Sequence, residues 1–243
     1  MTQAIGLAER LASVRGRIRS AALRAGRAPE EITLIGVTKG VGASQVAEAV
    51  SLGLRDLGEN YVQEARTKIH TVREALPGEN QPPVRWHGIG KLQRNKAREA
   101  VALFDVVHSV DRIELARELE RRADQAGTRL EVFLQVNLSG EAQKGGVLPS
   151  GLGELAQECA KLPHLVPLGL MLVPAESPDP QTARPTFAAL RGLARELGQA
   201  FGPARFGALS MGMSHDFEVA IEEGATLIRL GTVLFDGLEE ARP

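Results

Sequence analysis

Residues 31–50 read EITLIGVTKGVGASQVAEAV. The run from Ile32 to Val37 is apolar or neutral and of strand length. The following ASQVAEAV has helical periodicity. A strand that passes at once into a helix is half of a crossover, and a crossover leads to a parallel neighbour. Between the halves stands Lys39. Lysine is among the residues least often buried. A lysine that closes an apolar strand has either left the strand for water or sits at the mouth of a site.

The same unit recurs along the chain. Apolar runs begin at Leu54 (LRDLGEN), Val84 (VRWHGIG), Phe104 (FDVVHSV), Leu130 (LEVFLQVN), Leu165 (LVPLGLMLV), Arg205 (RFGALSMG) and Ala225 (ATLIRLG). Helical segments separate them, among them DRIELARELERRADQAG and SHDFEVAIEEG, each closed by glycine. Strands separated by helices predict parallel pairing, and near-continuous apolar strands predict a sheet covered on both faces. Eight such units in 243 residues predict an α/β protein, a single (β/α)8 barrel over residues 1–243, with a doubly wound open sheet as the main rival. No interdomain linker is visible. The Pro-rich VPAESPDPQTARP reads as a long loop after the sixth strand. An extra helix precedes the first strand: Leu7, Leu11, Val14 and Ile18 repeat at helical spacing, with a basic outer face and an end near Gly26 and Pro29.

Composition narrows the function. The net charge of −1 argues against bulk nucleic-acid binding, which needs a basic surface. The basic KLQRNKAR from Lys91 reads as a solvated helix face. No apolar run reaches membrane-spanning length, and no secretory leader is recognisable. The single cysteine, Cys159, excludes an internal disulfide and reads as a small apolar filler. A reducing cytoplasm fits that usage. No Cys/His cluster has metal-ligand spacing, and nothing in the sequence demands an oligomer, so a monomer is the expectation.

In barrels of this kind the active site lies at the C-terminal ends of the strands. Those ends carry Lys39, Asn60, His87, His108, Asn137, Met171, Ser210 with Met211 behind it, and Arg229 with Gly231 and Thr232. The chain uses six lysines against twenty-three arginines. Where a mere positive charge is wanted this sequence writes arginine, so a strand-end lysine is suggestive. A desolvated lysine can lose its proton and form a Schiff base with an aldehyde; arginine cannot. Loops after strands seven and eight often bind phosphate in such barrels. Here they offer Ser210, Gly212, Gly231 and Thr232, whereas Ser214 reads as the N-cap of the helix that follows. A lysine and an anion cradle at one rim have a joint ligand in pyridoxal 5′-phosphate (PLP), which carries an aldehyde and a phosphate on one ring. Arg229, two residues before Gly231 on the same strand face, can then point inward toward the ring nitrogen.

These motifs in this order resemble the PLP homeostasis proteins of the YggS/PROSC type. The resemblance rests on GVTKG around Lys39, LGENYVQEA from Leu57, WHGIGKLQRNK from Trp86 and VHSVD from Val107. It continues through VNLSGEAQKGG from Val136, LGLM from Leu168, LSMGMSHDFEVAIEEGAT from Leu209 and RLGTVLFDG from Arg229. It implies a barrel like the N-terminal domain of alanine racemase and a PLP Schiff base on Lys39. It also implies phosphate contacts from Ser210, Gly231 and Thr232, with Arg229 near the pyridine nitrogen; Asn60 and Met211 complete the expected cofactor set. Its members are usually regarded as PLP carriers or regulators, without a settled catalytic reaction. The chain departs from the common family pattern at Lys91 and His215, and in lacking a proline after the lysine motif.

Carrier and enzyme differ in chemistry. A cation at the ring nitrogen keeps that nitrogen unprotonated and makes the ring a poorer electron sink. Two-base racemisation also needs an acid/base group on each face of the substrate. The only tyrosine, Tyr61, reads as packing, and His87 and His108 read as hydrogen-bonded structural histidines. The sequence therefore favours PLP holding and delivery, with transient apo PLP-dependent enzymes as partners. An amino-acid racemase is the alternative, and a cofactor-free Schiff-base aldolase a third reading. Lys144 and Gly145 read as a loop beside the site.

Overall fold

The computed structural model of the chain describes residues 6–75, 83–141, 145–202 and 205–237. Eight parallel strands close into a barrel in sequence order: β1 (Thr33–Val37), β2 (Asp56–Glu59), β3 (Arg85–Gly88), β4 (Val106–Val110), β5 (Leu130–Gln135), β6 (Leu165–Met171), β7 (Ala208–Ser210) and β8 (Leu227–Leu230). Each of the eight apolar runs supplies one strand. Closure is made by β1 on β8, with Thr33 opposite Leu227 and Gly36 opposite Leu230. The open-sheet alternative is thereby excluded.

The helices are α1 (Leu7–Arg24), α2 (Ala43–Ser51), α3 (Val62–Ala75), α4 (Ala97–Leu103), α5 (Ile113–Ala126), α6 (Pro149–Lys161), α7 (Arg184–Phe201), α8 (Phe217–Glu222) and α9 (Thr232–Phe235). The main core lies between this ring and the outward faces of the strands. A smaller apolar layer fills the barrel itself, made by Ile35, Val106, Phe133, Met171 and Leu227. One register constrains the wall. A Cβ at Gly169 would fall 1.8 Å from the Ala208 carbonyl oxygen, so β6 and β7 approach as only glycine allows.

The N-terminal helix forms as its spacing predicts, and Leu7, Leu11, Val14 and Ile18 are its buried stripe. Its arginines are not a free basic face. Arg17 pairs with Glu218 at 3.0 Å and lies over the Phe217 ring, and Arg24 pairs with Glu222. Arg15 donates to the carbonyls of Leu52 and Gly53. They clip α1 to α8 and to the α2–β2 turn. Cys159 is buried in α6, and burial pushes its thiol up to about 12. It is a filler, as its setting in sequence suggests. No described helix is long and apolar enough to cross a membrane.

Candidate functional site

A cavity of about 720 Å³ opens at the C-terminal rim of the strands. Lys39, Asn60, Arg229, Gly231 and Thr232 all line it. Five strand-end positions scattered over the sequence are thus brought to one place.

Lys39 stands two residues beyond β1, in a turn, and is exposed. This corrects the expectation of a dehydrated amine at a strand end. The turn itself is fixed from behind. Gly40 takes φ +71°, which a side chain would resist, and its N–H donates to Glu64 at 2.6 Å. Thr38 is buried and donates its hydroxyl to Glu59 at 2.5 Å. Lys68 reaches from α3 to Glu59 at 2.6 Å, to Glu64 at 2.8 Å and to the Thr38 carbonyl. Burial raises the Glu59 carboxyl above its ordinary value, with Lys68 and Thr38 pulling the other way. Sequence reading missed this ion-pair cluster. Its only trace was Glu59, Glu64 and Lys68 at spacings of five and four residues, which resembles a solvated helix face.

Arg229 points into the barrel, as its strand face requires, and is 4% exposed. Burial lowers its guanidinium to about 10, with Asp216 opposing the shift; it stays a cation at neutral pH. It donates to the Leu172 carbonyl at 2.8 Å and to Ser210 Oγ at 2.7 Å. From Ser210 a chain of hydrogen bonds crosses the barrel. Ser210 Oγ meets His108 Nδ1 at 2.8 Å, His108 Nε2 meets His87 Nδ1 at 2.9 Å, and His87 Nε2 meets Asp56 at 2.9 Å. Arginine only donates and a carboxylate only accepts. Every link therefore runs one way, from Arg229 through Ser210, His108 and His87 to Asp56, and both histidine tautomers follow. His108 stacks on Phe133 at 4.5 Å. Its imidazole is held well below its ordinary pKa by burial first, then by His87 and Arg229. Both histidines are buried hydrogen-bonding members of the barrel filling.

Ser210 and Met211 stand apart from the rim group. Ser210 is wholly buried with its hydroxyl engaged on both sides, and the Met211 side chain lies in the main core. Neither lines the cavity. The same loop instead presents Met213 and Ser214 there. Ser214 is not a helix cap, contrary to its sequence reading. Asp216 precedes α8 and accepts from the Met213 N–H at 2.6 Å, while Ser214 Oγ receives the Val233 N–H at 3.4 Å. Gly212, at φ +93°, would carry a Cβ 2.6 Å from that of Ala220; the packing of the loop on α8 explains that glycine without an anion. At Gly231 the nearest atoms to a Cβ would be those of Val37, at an ordinary 3.5 Å, so protein packing does not demand glycine there, and Gly231 borders the cavity. His215 bonds the Pro178 carbonyl of the β6–α7 loop at 3.0 Å. Asn137 closes its own loop through Ser139 and Gly140. Gly145 accepts from Gln135, and Lys144 lies outside the described residues.

The Lys39 amine at the rim, with Lys91 on the same wall, one buried cation beneath it, and hydroxyls with unfilled backbone space at Gly231–Thr232 form a donor set for a flat anionic carbonyl compound. Comparison with known proteins agrees. Residues 11–238 match the alanine racemase N-terminal domain family. The chain is 42% identical over 227 residues to the pyridoxal phosphate homeostasis protein of Aquifex aeolicus, covering 93% of this chain and 96% of that protein. It is also 42% identical to the protein of that name in Pseudomonas aeruginosa, with 98% of each covered. Among solved structures, PipY of Synechococcus elongatus PCC7942 with PLP bound superposes with a TM-score of 0.82 at 38% identity, over 94% of this chain and 99% of that one. With its strand-end lysine, its inward arginine and this coverage, the chain belongs to the pyridoxal phosphate homeostasis proteins of the alanine racemase N-terminal domain family.

Proposed function

We propose that this protein binds PLP at the rim cavity as a Schiff base on Lys39 and serves as an intracellular PLP carrier. The observation that carries the reading is the placement of Lys39 and Arg229 on one cavity. PLP supplies an aldehyde that condenses with an amine, with loss of water, and a phosphate that needs an anion cradle. The chain's residues divide that work. Lys39 offers the amine, and its turn is held by Thr38, Glu59, Glu64 and Lys68. Thr232, Ser214 and the backbone at Gly231 border the space for a phosphate, and Asn60 borders the same cavity. Arg229 presents a permanent donor to a ring nitrogen, and Ser210 fixes it there. A donor-only partner leaves a ring nitrogen unprotonated, which disfavours carbanion chemistry.

The racemase alternative is less well supported. Tyr61 lines a neighbouring cavity and not the one that holds Lys39, and His87 and His108 are committed within the barrel. A carrier that works as a monomer in the cytoplasm and meets apo PLP enzymes transiently fits the buried single thiol and the near-neutral charge.

Two measurements test the reading. Added PLP should give wild type a visible absorbance band that borohydride abolishes, and Lys39→Ala should lack it; an unchanged band in the variant would end the assignment of Lys39. Loaded protein mixed with an apo PLP enzyme should restore activity faster than the PLP it releases into solution does. Equal rates would leave storage, not delivery.

A further inference from the structure

A second cavity, of about 410 Å³, lies beside the first. Asn60, Gly90 and Lys91 border both and form the partition. His108 faces the barrel interior, so its strand neighbours Val107 and Ser109 face outward. The cavity therefore lies outside the strand wall, against β2, β3 and β4.

Glu59 is wholly buried, and Thr38 and Lys68 both bond its Oε1, while Oε2 has no hydrogen-bond partner. Ser109 is 1% exposed and its Oγ also has no partner. Among the described residues these are the two buried side-chain oxygens left unpaired, and both residues line this one cavity. Buried polar groups are rarely left so, because the lost hydration is not replaced.

The missing partner has a definite chemistry. A carboxylate oxygen needs a donor, and a hydroxyl accepts one readily. A primary ammonium has three donors and no acceptor, and it brings positive charge to a carboxylate in a poorly solvated place. The remaining wall joins apolar Val62, Leu92, Phe104 and Val107 to polar Asn60, Tyr61, Gln63 and Gln93 and to two cations, Lys91 and Lys96, the latter paired with Glu99 at 2.9 Å. We propose that this cavity binds a small molecule carrying a primary ammonium group on a short apolar chain, with the ammonium between Glu59 and Ser109. Such a group occurs in free alkylamines and in amino acids. In the second case the ligand carboxylate faces Lys91, which lines the cavity and is exposed.

Calorimetric titration of the full-length protein tests this, after borohydride treatment so that no aldehyde or imine remains to react with amines. The probes are n-butylamine, norvaline and pentanoate, which share a butyl chain and differ in the ammonium and carboxylate it carries. One site per chain is expected for n-butylamine, norvaline or both, and none for pentanoate. Tighter norvaline assigns the amino acid, and equal affinity the free amine. Ser109→Ala removes one acceptor without enlarging any side chain and should weaken binding about five- to ten-fold. The proposal is overturned if neither amine binds at millimolar concentration, if pentanoate binds as well as n-butylamine, or if Ser109→Ala leaves the affinity unchanged. A crystal structure in which ordered waters hold both oxygens and the amines do not displace them overturns it too. Borohydride-treated protein presents this cavity whether or not Lys39 carries a cofactor, so failure here leaves the PLP reading standing.

Discussion

Arg229 donates and cannot accept, and that property orders five side chains across the barrel. Cutting the chain at its second link exposes what the order contributes. Ser210→Ala leaves an Arg229 N–H and His108 Nδ1 buried without partners, and should cost about 1–3 kcal/mol of unfolding free energy by chemical denaturation. His108 adds a pH dependence. Its folded pKa lies well below 6.5, so the unfolded chain takes up a proton that the folded chain refuses. Stability from this residue is complete above about pH 6.5 and is lost as the pH falls below it. The raised carboxyls of Glu59 and Asp216 act oppositely, stabilising below their unfolded values and losing that contribution as the pH rises. The comparison is therefore between variants: His108→Gln, which keeps hydrogen-bonding capacity but cannot titrate, should flatten the acid limb of the stability–pH curve. A curve parallel to wild type would refute the buried neutral imidazole.

At the scale of elements, the loops matter more than the strands. The β3–α4 loop lies against the β2–α3 loop so closely that a Cβ at Gly90 would fall 2.2 Å from the Asn60 carbonyl oxygen. Backbone must move to admit it. Gly90→Ala should shift the partition between the two cavities and weaken PLP retention by at least several-fold, with a loss of stability of about 1–3 kcal/mol from overpacking; equilibrium dialysis and thermal melts read the two effects. The strands were legible because each is an apolar run bounded by helical spacing, and all eight formed where those runs lie. Arg229 was legible because a strand's period places it, and Lys39 and Gly231 because they closely follow the ends of β1 and β8. What escaped was whatever depends on contact between elements. Glu59 and Lys68 share no pattern until α3 packs on β2. Ser214 looked like a cap because serine commonly is one, but α8 starts three residues later and Asp216 takes the loop's N–H. The arginines of α1 looked solvated because their acid partners lie about two hundred positions away.

For the whole molecule, closure of the barrel explains why one face carries everything: parallel strands end together, and eight loops converge on one mouth. Those loops supply an amine, a cation and hydroxyls, and Glu176, Asp179, His215 and Asp216 also line the mouth. Racemisation needs an acid/base group on the substrate face opposite Lys39, and the carrier reading holds that none of these takes that role. Incubation of the PLP-loaded protein with a panel of amino acids in deuterated water should give no label at Cα above a Lys39→Ala control. Steady incorporation in even one amino acid would restore the enzyme reading.

The exposure of Lys39 carries one more implication. Solvent and free amines reach that side chain without any of the described residues having to move. Under the carrier reading, how long a cargo stays is then governed by the grip on its phosphate and ring, and its departure quickens with the concentration of competing amines in the surroundings. A container whose reactive side chain lies exposed equilibrates with what is around it, which suits a buffer better than a vault.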